Sequence, residues 1–192
     1  MNARGASLLA NPHPRGHIVY PYTDEGLVGQ AVSLFASAGI RDGEGVILIM
    51  SADHCESIKV RLQLEGISTE AYERSGQLIC VTAEALLAKF IPRGALDEGL
   101  FKSTVGGLID QVRAAVGNGR VRIFGEMVSQ LRNTNLIATT RLEELWNEVI
   151  QDHSVALLCT YALDHKNDDM PETLMRLHSE SIERESSVSH DA

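Results

Sequence analysis

From His17 onward, short apolar runs alternate with stretches of helical periodicity. The runs are His17–Tyr22, Val46–Met50, Leu78–Val81, Val121–Phe124 and Val155–Tyr161. Three of them are apolar almost without interruption, which is how strands buried on both faces read. Between them, Val28, Ala31, Val32 and Phe35 recur at i, i+3, i+4 and i+7, with Gly39 closing the pattern. Asp53 is a candidate N-cap for a helix that carries Ile58 and Leu62 and ends at Gly66. Val105, Leu108, Ile109, Val112 and Val116 make a third stripe, stopped by Gly117 and Gly119. Leu142, Leu145, Trp146, Val149 and Ile150 make a fourth, with Glu143, Glu144 and Glu148 expected to face water. This alternation predicts an α/β fold: a three-layer sandwich with a mostly parallel central sheet.

Residues 1–15, rich in Asn, Pro, Gly and Ala, read as a flexible N-terminal arm, and residues 183–192 as a polar C-terminal tail. One α/β domain is expected over 16–182. Within it, 83–99 begins as a helix and then meets Pro92, Gly94 and Gly99, which predicts an excursion. That segment and the 125–135 loop are the expected moving parts.

Composition narrows the function. A chain of 192 residues has enough interior to fold without disulfides or a metal. Its 17 basic and 26 acidic residues give a net charge of −9, which repels phosphate backbones and anionic lipid. Arg113, Arg120, Arg122 and Arg132 are scattered and form no basic patch, so nucleic acid is not an expected partner. Cys55, Cys80 and Cys159 are odd in number and lie in or beside apolar runs, as buried thiols in a reducing compartment do. No signal peptide or membrane span is apparent, so the expected location is cytoplasmic.

In an open parallel sheet, ligands bind beyond the carboxyl ends of the strands. There the sequence places Tyr22, Thr23 and Asp24; Ser51, Asp53 and His54; Thr82 and Glu84; Glu126; and Tyr161 to His165. Helix capping is the simpler account of Thr23, Asp24, Ser51 and Asp53. Glu126 is more pointed, because a carboxylate ending a buried strand faces either a ligand or strain. Metal sites read poorly. Asp53-His54-Cys55 are adjacent and fan out around a helix start, while Asp164-His165 with Asp168-Asp169 reads as a solvated loop. Neither a metal nor a cofactor is expected. The turn Tyr22 to Gly29 sits where a phosphate loop would, yet it lacks the lysine and carries Asp24 and Glu25. Those two negative charges would repel a triphosphate, so ATP hydrolysis is not expected.

Taken together, Gly16-His-Ile-Val-Tyr-Pro-Tyr22, the 43–51 strand with its helix, Gly76-Gln-Leu-Ile79, Phe124-Gly-Glu-Met127, Arg141-Leu-Glu-Glu-Leu-Trp146, Leu157-Leu-Cys-Thr-Tyr161 and Leu177-His-Ser179 resemble the MEDS family, the methanogen/methylotroph, DcmR sensory domain. The resemblance spans about residues 16–182. It implies a RecA-like layout without a working phosphate loop and a sensory module for small organic compounds such as hydrocarbon derivatives. His17, Tyr20, Tyr22, Glu126, Tyr161 and His178 are the family-typical positions; with Asp24 they form the candidate ligand-binding set. From its length, the chain is expected to carry no attached kinase or DNA-binding domain. It is therefore expected to signal to a separate protein, such as a histidine kinase or an anti-sigma-type regulator, or through a homo-oligomer. Two other readings stand beside this one: a pure interaction module without a ligand, and a small acid–base enzyme using Glu126 with a histidine.

Overall fold

A computed structural model describes residues 1–92, 95–132, 135–163 and 169–183. Along the chain run α1 (Ala3–Ala10), β1 (His17–Tyr22), α2 (Glu25–Arg41), β2 (Gly45–Met50), α3 (Ala52–Leu64), α4 (Thr69–Ser75), β3 (Leu78–Thr82), α5 (Ala83–Phe90), α6 (Glu98–Ala115), β4 (Val121–Gly125), α7 (Met127–Arg132), α8 (Leu136–His153), β5 (Ala156–Ala162), α9 (Glu172–Met175) and β6 (Glu180–Ser181). The strands form one sheet in the order β3-β2-β4-β5-β1-β6, parallel throughout. Helices cover both faces, as the unbroken apolar runs require.

Each strand feeds two cores by its two-residue period. On β2, Val46, Leu48 and Met50 join the core under α1, α2 and α3. Ile47 and Ile49 join the opposite core under α5 to α9, which includes Phe90, Phe101, Met127, Trp146 and Leu174. No helix among the described residues is long and apolar enough to cross a membrane.

Several local expectations change. The N-terminal arm is in part a helix: Asn2 caps α1 through Gly5 N–H, and Leu9 is fully buried. What holds α1 lies far along the chain, where the Arg122 guanidinium donates to the Leu9 and Phe35 carbonyls at 3.3 and 2.9 Å. Arg122 is itself buried and paired with Glu44, its Nε 2.6 Å from Glu44 Oε2. Gly39 does not end α2. It lies inside the helix, at a position where a Cβ would come 2.6 Å from Arg122 Cδ. Ser51, not Asp53, caps α3 by accepting from His54 N–H. The 125–135 stretch contains α7, anchored by buried Met127 and Val128. Glu143 does not face water; it is fully buried on α8. The acidic loop residues Asp164, His165 and Asp168, and the tail beyond Glu183, lie outside the described residues.

Candidate functional site

Five of the seven candidate residues separate into two centres on opposite faces of the sheet, and Tyr20 and Asp24 belong to neither. The first stands at the carboxyl edge, where β2 and β4 are neighbours. The chain leaving β2 enters α3 on one face, while the chain leaving β4 enters α7 and α8 on the other. Such a divergence opens the crevice in which α/β sheets place ligands. Glu126 sits at its base, and its backbone N–H continues the ladder to Ile49 O at 3.0 Å.

The Glu126 carboxylate is nearly buried and fully engaged. Oε1 accepts from Ser51 N–H at 2.5 Å, and Oε2 lies 2.7 Å from His54 Nδ1. His54 Nε2 lies 3.2 Å from Glu25 Oε2, and Tyr22 donates its hydroxyl to Glu25 Oε1 at 3.3 Å. A polar chain thus runs from the end of β4 through α3 to the start of α2 and the end of β1. The hydrogen bond to Glu126 raises the His54 pKa above its ordinary 6.5, outweighing an opposing effect of burial. Burial, with Glu25 and Glu126 adding to it, pushes the Tyr22 phenol up, so it remains a donor.

This chain borders a cavity of about 80 Å³ between α2 and α3. Val28, Val32, Ile58 and Phe124 line its apolar part, and Ser57 stands exposed at its rim. A more open depression of about 330 Å³ is larger; Pro21, Met170, Met175 and Ile182 line its apolar part, and Asp169, Glu172, Ser181 and Glu183 its polar part. Asp24 takes no part in the cavity. Its Oδ1 accepts from Gly26 and Leu27 N–H at 2.7 and 3.1 Å, so α2 caps itself with the amides that would otherwise meet an anion. Tyr20 lies in the apolar core beneath α2.

The second centre gathers His17, Tyr161 and His178 on the opposite face, under α8. At its middle is Glu143. His17 Nε2 lies 3.2 Å from Glu143 Oε2, His178 Nε2 lies 3.4 Å from Oε1, and Tyr161 donates its hydroxyl to Oε1. Cys159 Sγ is 3.5 Å from His17 Nε2 and 3.9 Å from Glu143 Oε2. Burial alone would push the Glu143 carboxyl up, but the two imidazoles outweigh it and hold the carboxyl below its usual range. Burial, with Glu143 adding to it, pushes the Cys159 thiol well up.

Sequence reasoning singled out His17, Tyr161 and His178 without Glu143, although the signal was present. Thr139, Glu143, Trp146 and Ile150 lie at i, i+4, i+7 and i+11, which puts the carboxylate on the buried stripe of α8. Glu25 lies in the turn from Tyr22 to Gly29, and nothing in its spacing points to His54. That contact forms where α2 packs against α3, and the contact of His54 with Glu126 where β2 lies beside β4.

No curated protein matches the chain. The model of the MEDS family, the methanogen/methylotroph, DcmR sensory domain, matches residues 16–179. The chain belongs to that family.

Proposed function

Starting from membership of a sensory family, we propose that this chain is a non-catalytic regulatory domain. It binds a small organic molecule in the cavity between α2 and α3 and reports occupancy to a separate signalling protein. The observation that carries this reading is the convergence of Glu126, His54, Glu25 and Tyr22 on a cavity with an apolar lining. The volume is small beside the roughly 300–1,000 Å³ of drug-sized sites, so the ligand has few non-hydrogen atoms. The acidic rim favours a donor head such as an alcohol or amine, and Val28, Val32 and Phe124 favour a short hydrocarbon body.

Such a ligand would replace contacts between two helices. Glu25 belongs to α2 and His54 to α3, so a head group inserted between them shifts the preferred spacing of those helices. A preference of about 1.4 kcal/mol for one spacing changes the ratio of the two states tenfold. The acid–base reading draws support from the 2.7 Å approach of Glu126 to His54. Against it, each His54 nitrogen faces a carboxylate, leaving neither free to take a substrate proton. The self-capped start of α2 and the absence of a loop lysine argue likewise against ATP hydrolysis.

Thermal unfolding in the presence of straight-chain alcohols and primary amines of one to four carbons tests the reading. At least one probe should raise Tm saturably; a ligand at a hundred times its Kd contributes about 2.7 kcal/mol. Ser57→Leu, which fills the rim from an exposed position, should abolish the rise without lowering the unliganded Tm by more than a degree or two. A saturable rise that persists in Ser57→Leu contradicts this placement of the ligand.

A further inference from the structure

The buried centre under α8 has a composition and geometry that the sensory reading does not use. We propose that His17, Glu143, Cys159 and His178 form a closed, four-ligand site for a tetrahedral divalent transition-metal cation of the zinc class. One atom from each residue, two imidazole nitrogens, a thiol sulfur and a carboxylate oxygen, lies within 4.8 Å of the others. Metal–ligand bonds of about 2.0–2.3 Å around a tetrahedral ion separate the ligands by about 3.3–3.8 Å. The contacts of 3.2, 3.5 and 3.9 Å among His17 Nε2, Cys159 Sγ and Glu143 Oε2 fall at or near that range, and His178 Nε2 approaches the same carboxylate from the side of Oε1.

The surrounding hydrogen bonds orient the donors. Asn147 Nδ2 donates to Leu177 O at 2.9 Å, which turns its Oδ1 toward His17 Nδ1, also at 2.9 Å. His178 Nδ1 lies 2.9 Å from Leu174 O. Both Nδ1 atoms therefore carry hydrogen, and both Nε2 atoms point at Glu143. Carbonyl-type acceptors behind metal-bound histidines are the usual way of fixing that tautomer. His178 Nε2 is buried with no hydrogen-bond partner, in a side chain only 1% exposed. Tyr161 occupies Glu143 Oε1, leaving Oε2 on the side of His17 and Cys159.

Charge gives an independent reason. Two imidazole lone pairs directed at a buried carboxylate are repulsive unless a positive charge lies between them. A divalent cation supplies it, and its bond to sulfur forms as the Cys159 proton leaves to solvent. The thiolate and carboxylate then neutralise the ion, so the filled site carries no net charge. All four positions come from the protein, which suits a structural ion rather than a reactive one. The ligands come from β1, β5, α8 and the segment after α9, joining both ends of the fold.

The test is metal titration of the 192-residue chain after chelation and dialysis. Zinc should bind at one equivalent, and Co(II) should give intense tetrahedral d–d bands with a thiolate charge-transfer band. Cys159→Ser should remove the charge-transfer band, and His178→Ala should weaken zinc binding at least tenfold. Asn147→Ala, which touches no metal, should weaken it by about 10–100-fold. If the ligand variants fail to fold, the Co(II) spectrum of the wild-type chain decides alone. A folded wild-type chain that takes up no stoichiometric metal overturns the proposal and leaves imidazolium protons as the neutralising charge. A charge-transfer band that survives Cys159→Ser overturns it equally.

Discussion

His54 bridges two carboxylates at the sheet edge, and its protonation is tied to the fold. Because Glu126 raises its pKa above 6.5, the pair's contribution to stability is complete below pH 6.5. It is lost as pH rises through the higher, folded-state value. A proton NMR titration of the His54 ring should accordingly give a midpoint above 6.5, and Glu126→Gln should bring it back toward the ordinary value. A midpoint that does not respond to Glu126→Gln would mean the short contact exerts no electrostatic hold in solution. The side chain is more than a third exposed, so solvent limits the energetic consequence, and the midpoint is the better readout.

At the scale of elements, the least obvious is α1, which the local composition of residues 1–15 does not announce. Its docking depends on the buried Arg122–Glu44 pair, with the guanidinium directed at the last carbonyls of the helix, where a cation is favoured. Arg122→Ala leaves the buried Glu44 with only the part-exposed Arg120, 3.2 Å away, and should cost up to about 3–5 kcal/mol in urea unfolding. It should also remove hydrogen-exchange protection from the α1 amides first. Unchanged protection there would show that Leu9 and its neighbours hold the helix unaided. Strands β1, β2, β4 and β5 are legible because burial on both faces favours apolar runs, the half-buried edge strand β3 from a shorter run, and α2, α6 and α8 because their stripes keep helical spacing. By contrast, α4 and α7 are short and carry too few periodic positions to register. The two-residue β6 is set by pairing with β1 rather than by its own residues. Part of the site is equally readable: Tyr22, Ser51, His54 and Glu126 all follow strand ends. That Ser51 and His54 meet Glu126 is not, since it depends on strand order, and Glu143 reads as solvent-facing beside Glu144 and Glu148.

In the whole molecule, the sheet separates two polar assemblies with different characters. The carboxyl-edge chain of Tyr22, Glu25, His54 and Glu126 borders a cavity and joins two helices on one face. The buried centre on the other face is closed off by α8 and the segment carrying His178. An acidic chain of net charge −9 whose cavity has an acidic rim favours neutral or cationic ligands over anions. On the proposed function, sensing belongs to the α2–α3 side and structural closure to the other. The most direct test is a backbone-amide NMR titration of the wild-type chain with the alcohol or amine giving the largest rise in Tm. The account predicts saturable shifts concentrated at Gly29, His54, Ser57 and Gly125–Met127, absent in Ser57→Leu. Shifts clustered instead around Met170, Met175 and Ile182, or the absence of saturable shifts with every probe, would contradict it.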